Sequence, residues 1–115
     1  MKFAYISRMG KTEALIHHLG LEAIKIESGN EIIGEPFILF TYTDGHGIVP
    51  KTIDSFLEKN HSDLKGVVAT GSMARHADTF CFAGDIISNT YNVPCFAKVD
   101  GEGTQEDWDL ILTKI

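Results

Sequence analysis

The chain has 115 residues, of which 43% are apolar and 23% are charged, and its formal net charge is −6. These values are typical of one globular domain spanning residues 1–115, and they exclude disordered and fibrous proteins. The acidic balance argues against a nucleic-acid-binding surface.

Five short apolar runs predict five β-strands, at residues 3–6, 23–26, 36–42, 66–70 and 94–99. Apolar residues at helical spacing lie between or after these runs. They are Leu15, Ile16 and Leu19; Ile53, Phe56 and Leu57; Phe80, Ala83 and Ile87; and Trp108, Ile111, Leu112 and Ile115. Thr104 and Asp107 resemble a capping box at the start of the last helix. Residues 27–35 have no such spacing, and they predict a loop.

The strand runs are continuous rather than alternating, which is typical of strands buried on both faces of a parallel sheet. The order β-α-β-β-α-β-α-β-α then predicts a doubly wound α/β fold. Ligands of such sheets lie beyond the carboxyl ends of the strands. Three loops leave those ends, at residues 7–12, 43–49 and 71–78, and all are rich in Gly, Ser, Thr and His. We expect the functional site in these loops.

The first loop, residues 7–12, lies between a strand and a helix. A helix N-terminus attracts phosphate through unpaired N–H groups and its dipole. Gly10 permits a tight turn, while Arg8 and Lys11 add positive charge. Ser and Thr are equally common as helix caps, so a cap without a ligand explains the same residues. A nucleotide-binding P-loop is excluded, because Tyr5 stands where that motif needs its first glycine.

The other two loops each allow two interpretations. In the second loop, Gly45 and Gly47 permit close approach of a flat ligand, but a glycine turn without a ligand fits as well. In the third loop, Asp78 is expected to cap the following helix. Cys81 is expected to be a buried, inert thiol.

Cysteine and histidine spacing predicts neither a disulfide framework nor a metal site. Cys81 and Cys95 form no CxxC pair. His46 and His76 are able to approach each other, but two imidazoles without a carboxylate motif are weak evidence for a metal. The apolar runs are too short to cross a membrane, and the first residues lack the apolar stretch of a secretory signal. We therefore expect a cytoplasmic protein with no membrane partner.

Together the three loops resemble those of the NrdI family, the flavodoxin-like flavoproteins that stimulate class Ib ribonucleotide reductase. The matching segments are residues 7–12, 37–50, 64–71 and 78–87, followed by Tyr91-x-Val93-Pro94 and Gly103-Thr104-x-x-Asp107. Thr41-Tyr42-Thr43 with Gly45-x-Gly47-x-Val49-Pro50 is the most specific of them. The resemblance implies a flavodoxin-like three-layer sandwich with a five-stranded parallel sheet of order 2-1-3-4-5.

The resemblance also implies a non-covalent FMN cofactor. The residues expected around its phosphate are Ser7, Arg8, Met9, Gly10, Lys11 and Thr12. Those expected beside the flavin from the second loop are Thr41, Tyr42, Thr43, Gly45, His46 and Gly47. Those expected beside it from the third loop are Gly71, Ser72, Met73, His76 and Asp78.

The implied role is redox activation of a partner. Reduced flavin and dioxygen would supply an oxidant to the dimanganese centre of the radical-bearing small subunit, and a separate electron donor would reduce the flavin. The family usually has Ser or Thr where Met9 stands and Asn where Lys11 stands. Its third loop is one residue shorter and has an aromatic residue near the position of His76. Arg8, Lys11, Arg75 and His76 bring positive charge into the ligand loops, which favours the fully reduced, anionic flavin.

Two other functions compete with this interpretation. A receiver domain of phospho-signalling shares the fold, and Asp44, Thr70 and Lys98 stand in plausible positions for one. Its magnesium site needs acidic residues after the first strand, however, and Ser7 and Arg8 stand there. The second alternative is a flavin-free module that docks on the reductase.

Overall fold

Five parallel strands form a single sheet with helices on both faces. The computed structural model describes residues 1–115. The strands are β1 (Lys2–Tyr5), β2 (Ile24–Lys25), β3 (Phe37–Tyr42), β4 (Leu64–Gly71) and β5 (Cys95–Asp100). Their order is β2-β1-β3-β4-β5, and every neighbouring pair is parallel. The predicted order 2-1-3-4-5 is therefore confirmed.

Five helices follow or precede these strands. They are α1 (Lys11–Leu19), α2 (Lys51–Asn60), α3 (Met73–His76), α4 (Phe82–Tyr91) and α5 (Gln105–Lys114). Short 3-10 turns at His61–Asp63 and Ala77–Thr79 follow α2 and α3. None of the helices combines the length and the apolar character needed to cross a membrane.

The central strand β3 explains the three layers. Phe37 and Leu39 pack into a core on the side of α2 and α4, whereas Ile38 and Phe40 pack into a second core on the side of α1 and α5. All four side chains are buried. Because successive side chains of a strand point to opposite faces, a continuous apolar run serves both cores at once.

The predicted loop at 27–35 contains no helix or strand. The Glu31 carboxylate accepts the N–H groups of Glu27, Ser28 and Gly29 at 2.9–3.0 Å. Burial raises the pKa of Glu31, but these donors outweigh it and lower the pKa to about 2. In a helix, backbone carbonyls would accept such N–H groups; here the Glu31 carboxylate accepts them instead.

The segment after β4 differs from the prediction. The one-turn helix α3 was not expected, and Phe80, which the spacing placed on a helix with Ala83 and Ile87, lies before α4 begins at Phe82. Asp78 lies in a 3-10 turn, and α4 begins without a side-chain cap, so the prediction that Asp78 caps this helix is wrong. Cys81 stands before α4 with φ of 55°, and its thiol donates to the Ala69 carbonyl at 3.4 Å.

Candidate functional site

A cleft of about 610 Å³ opens at the carboxyl ends of the strands. Its walls come from the loops after β1, β3 and β4, with Asp100 and Gly101 at the end of β5. A larger cleft of about 900 Å³ lies at the amino ends, where two of its three charged residues, Lys2 and Glu35, pair with each other at 3.8 Å. The first cleft is the candidate site, because parallel α/β sheets bind ligands at the carboxyl ends.

The first loop presents a row of free hydrogen-bond donors. Gly10 precedes α1 with φ of 88°, a left-handed conformation that glycine adopts without strain. The Ser7 hydroxyl accepts the N–H of Glu13 at 3.3 Å. The N–H groups of residues 8–12 have no acceptor within the chain. With the positive end of the α1 dipole, these donors have the character that an anion would need at this loop.

A buried contact ties this loop to the centre of the sheet. The Thr12 and Thr70 hydroxyl oxygens are 2.9 Å apart, and both residues are buried. Thr70 belongs to β4, so the first turn of α1 is anchored to the strand that precedes the third loop. The contact keeps the first and third loops at a constant separation.

A charged pair connects the first and second loops. Arg8 Nη1 is 2.6 Å from Asp44 Oδ1, and the guanidinium carbon lies 5.0 Å from the centre of the Tyr42 ring. This is a cation–π arrangement. Burial is the main cause that raises the pKa of Tyr42. The positive charge of Arg8 lowers this pKa in part, and the negative charge of Asp44 raises it further. The phenol therefore remains neutral in the cleft at physiological pH.

The second loop is a tight turn closed by its own backbone. Asp44 and Ile48 form an antiparallel bridge, and the N–H of Gly47 donates to the Asp44 carbonyl at 3.1 Å. Gly47 has φ of 99°, and a Cβ there would lie 2.9 Å from Thr79 Cβ. The N–H groups of Gly45 and His46 have no acceptor within the chain.

Thr43 carries an unusual polar atom. Its Oγ1 is buried and has no hydrogen-bond partner in the protein. Thr43 also lines the cleft. A buried hydroxyl without a partner is costly, so this atom points to a ligand that completes its hydrogen bonding.

The third segment is held by side chains at both ends. The Ser72 hydroxyl caps α3 by accepting the N–H of Arg75 at 3.2 Å, and Asp100 Oδ1 accepts the N–H of Met73 at 3.2 Å. The rings of His46 and His76 meet edge to face with centres 5.8 Å apart. The two loops therefore touch across the cleft, as the sequence indicated.

Cys81 lies beneath this segment and faces the core. Burial raises the pKa of its thiol to about 12, and the side chain is fully buried. A thiol in that environment remains protonated and unreactive. The prediction that this thiol is buried is confirmed.

Eleven of the residues predicted for the site line the cleft. They are Ser7, Arg8, Met9, Lys11, Thr12, Tyr42, Thr43, Gly45, Gly71, Ser72 and His76. Six other predicted residues lie outside its walls, namely Gly10, Thr41, His46, Gly47, Met73 and Asp78. Gly10 and Gly47 shape the loops, and the Thr41 hydroxyl is already used in donating to the Tyr42 carbonyl at 2.9 Å.

Five lining residues were not among the predicted site residues. They are Asp44, Thr70, Arg75, Asp100 and Gly101. Asp100 ends β5 and Gly101 follows it, and the rule that directed attention to the first three loops applies equally to the loop after that strand. The signal was therefore present in the sequence.

A family model described as "NrdI Flavodoxin like" matches residues 3–113. The chain belongs to the NrdI flavodoxin-like family. Protein NrdI of Bacillus licheniformis is 34% identical over 115 residues, covering 100% of this chain and 87% of that protein. The predicted family is thus confirmed.

Solved flavodoxins share the fold of this NrdI family member. Oxidised Flavodoxin 1 from Bacillus cereus aligns with a TM-score of 0.71 and 19% identity, covering 97% of this chain and 91% of the flavodoxin. A short-chain flavodoxin associated with a bacterial microcompartment also gives a TM-score of 0.71, with 16% identity, covering 97% and 90%. Both neighbours agree with the predicted flavodoxin-like sandwich.

Members of the NrdI and flavodoxin families bind FMN, in agreement with the predicted cofactor. The residues of this cleft fit such a ligand. The first loop offers free N–H donors for a phosphate, and Thr43 offers a hydroxyl without a partner. The volume of about 610 Å³ lies within the ordinary range for cofactor pockets.

The receiver-domain alternative does not fit the site or the family. Its required lysine, Lys98, pairs with Asp85 of α4 at 2.8 Å. Asp44 is paired with Arg8, and Thr70 with Thr12. No group of three or more metal-ligating side chains occurs in the chain. The magnesium-dependent chemistry of a receiver therefore has no acidic cluster here.

Proposed function

We propose that this protein is an FMN-binding redox activator of class Ib ribonucleotide reductase. The observation that carries the proposal is the set of unpaired donors in the cleft of a NrdI family member. These donors occupy the loops that the resemblance assigns to the cofactor.

The first loop would hold the FMN phosphate through the N–H groups of residues 8–12 and the positive end of α1. The Thr43 hydroxyl and the N–H groups of Gly45 and His46 would bind the polar edge of the ring system. Gly71 and Ser72 would border the ring from the third loop. The role of this chain is to bind and orient the flavin while leaving one side open.

Charges around the cleft support a redox role. Arg8 is neutralised by Asp44, whereas Arg75 has no acidic partner within 4 Å and lines the cleft. Unpaired positive charge stabilises an anion nearby. Bound FMN would supply electrons to dioxygen, producing the oxidant that the dimanganese centre of the small subunit requires. We expect the fully reduced flavin to form readily, because Arg75 favours its negative charge.

Exposed apolar side chains around the cleft fit a protein partner. Met9, Ile48 and Met73 are 78%, 54% and 48% exposed, and they come from three different loops. Methionine is common at binding surfaces because its side chain adapts to the partner. The small subunit would dock over the loops at 45–48 and 73–76. The electron donor would use the same open side at a different time.

The decisive experiment reconstitutes the activation. The protein is loaded with FMN, reduced without oxygen, and mixed with manganese-loaded small subunit and dioxygen. Electron paramagnetic resonance should then detect a tyrosyl radical. The matched control is the same protein without flavin, which should give none. A flavin-loaded, reducible protein that never produces the radical would refute the reductase role.

Met9 favours the flavin-free docking module as a second candidate. It stands where the family usually has a hydroxyl, and its side chain is almost fully exposed. A colourless protein that does not take up added FMN, yet binds the small subunit, would support this candidate. A yellow protein with a flavin spectrum would exclude it.

A further inference from the structure

Lys11 carries a cation at the phosphate-binding loop, and its acidic partner is Glu102. Lys11 Nζ lies 3.9 Å from Glu102 Oε2, which is an ion pair without a hydrogen bond. The Lys11 side chain is 63% exposed and lines the cleft. The ammonium is therefore weakly held and is able to turn toward a ligand in the first loop.

Glu102 has two further contacts besides Lys11, with Trp108 and His18. Trp108 Nε1 donates to the Glu102 carbonyl at 2.9 Å, and His18 Nε2 lies 3.4 Å from Glu102 Oε1. The His18 ring stacks on Trp108, with centres 3.9 Å apart and 14° between the planes. The indole thus holds the backbone of Glu102, and His18 of α1 gives its carboxylate a second contact besides Lys11.

Building on the FMN role proposed above, we propose that Glu102 sets how strongly this protein prefers a phosphorylated flavin over an unphosphorylated one. A phosphate in the first loop competes with Glu102 for the Lys11 ammonium. The carboxylate also repels the phosphate directly. Riboflavin has the same ring but no phosphate, so neither effect reaches it. Glu102 therefore weakens FMN binding selectively, and Lys11 strengthens it selectively.

The test compares two ligands on matched variants. Flavin-free protein is titrated with FMN and with riboflavin, and binding is followed by quenching of flavin fluorescence. Glu102→Gln should bind FMN about two- to fivefold more tightly, the range expected for one exposed charge pair, with riboflavin unchanged. Lys11→Gln should weaken FMN by a similar factor and leave riboflavin unchanged. Both effects should shrink at high salt, because exposed charges are screened.

Two control variants remove one charge elsewhere. Glu106→Gln changes an exposed acid of α5, and Lys59→Gln changes an exposed base at the far end of α2. Neither should alter the ratio of FMN to riboflavin affinity. A ratio that is the same in the wild type, Glu102→Gln and Lys11→Gln would overturn the role of Glu102 while leaving the flavoprotein proposal intact. Failure of the wild type to bind either flavin would overturn both.

Discussion

Replacing Thr43 by valine should stabilise the flavin-free protein. Its Oγ1 is buried without a partner, and valine keeps the shape of the side chain while removing that atom. An unsatisfied buried polar group costs about 1–3 kcal/mol, and we expect a gain of about 1–2 kcal/mol. For a chain of 115 residues, a change of 1 kcal/mol in the free energy of unfolding shifts the melting temperature by about 4 °C. The midpoint of thermal unfolding, measured by circular dichroism without flavin, should therefore rise by about 4–8 °C.

The same substitution should weaken FMN binding. The valine side chain cannot make the hydrogen bond that the proposed flavin supplies to Thr43. A typical hydrogen bond contributes about 0.5–1.5 kcal/mol, so the dissociation constant measured by fluorescence titration should rise about two- to twelvefold. Stability and binding thus change in opposite directions, which general damage to the fold does not produce.

Thr41→Val is the matched control, because it removes a buried hydroxyl two residues away, from β3 itself. That hydroxyl donates to the Tyr42 carbonyl at 2.9 Å. Its loss should destabilise the protein by about 1 kcal/mol and leave FMN affinity unchanged within about twofold. If Thr43→Val instead lowers the unfolding midpoint as Thr41→Val does, the hydroxyl has a partner in solution and the reasoning is refuted.

Three further predictions concern stability and reactivity. Glu31 has a folded pKa of about 2, below its unfolded value, so it stabilises the protein above about pH 4.5 and loses this contribution as the pH falls toward 2. Glu31→Gln should flatten that part of the melting-temperature profile, and an unchanged acid slope would contradict the assignment. Gly66→Ala should lower the free energy of unfolding, measured in urea, by about 1–3 kcal/mol, because a Cβ there overlaps the Phe96 ring. A variant as stable as the wild type would show that the ring moves aside at no cost. Cys81 should resist alkylation at pH 8 until urea unfolds the chain, since burial raises the pKa of its thiol to about 12. Peptide mass mapping measures the labelling, and labelling of the folded protein would contradict this expectation.

The strands of the sheet were predictable because each one is a short apolar run that stands out in the sequence by itself. The runs at β3 and β4 are buried on both faces, so their apolar character appears directly in the sequence. The order of the strands followed from the family resemblance, and the location of the site at their carboxyl ends followed from the fold class.

The third loop was less predictable because distant contacts determine its conformation. The turn at Cys81 depends on the carbonyl of Ala69, and the start of α3 depends on the side chain of Asp100. No pattern within residues 71–81 encodes these partners. Arg75 was predicted only as a positive charge in the ligand loops, because its place in the wall of the cleft depends on α3, which itself was unexpected.

The two glycines of the second loop differ in how freely their positions can diverge among relatives. Gly45 has φ of 46°, and a Cβ at that position would have no other atom within 4 Å. Asparagine, which enters the left-handed region readily, should therefore be acceptable there. Gly47 lies outside the range that asparagine favours, and a side chain would collide with Thr79 and Phe82. The ligand-free fold should therefore accept a side chain at position 45 and reject one at position 47.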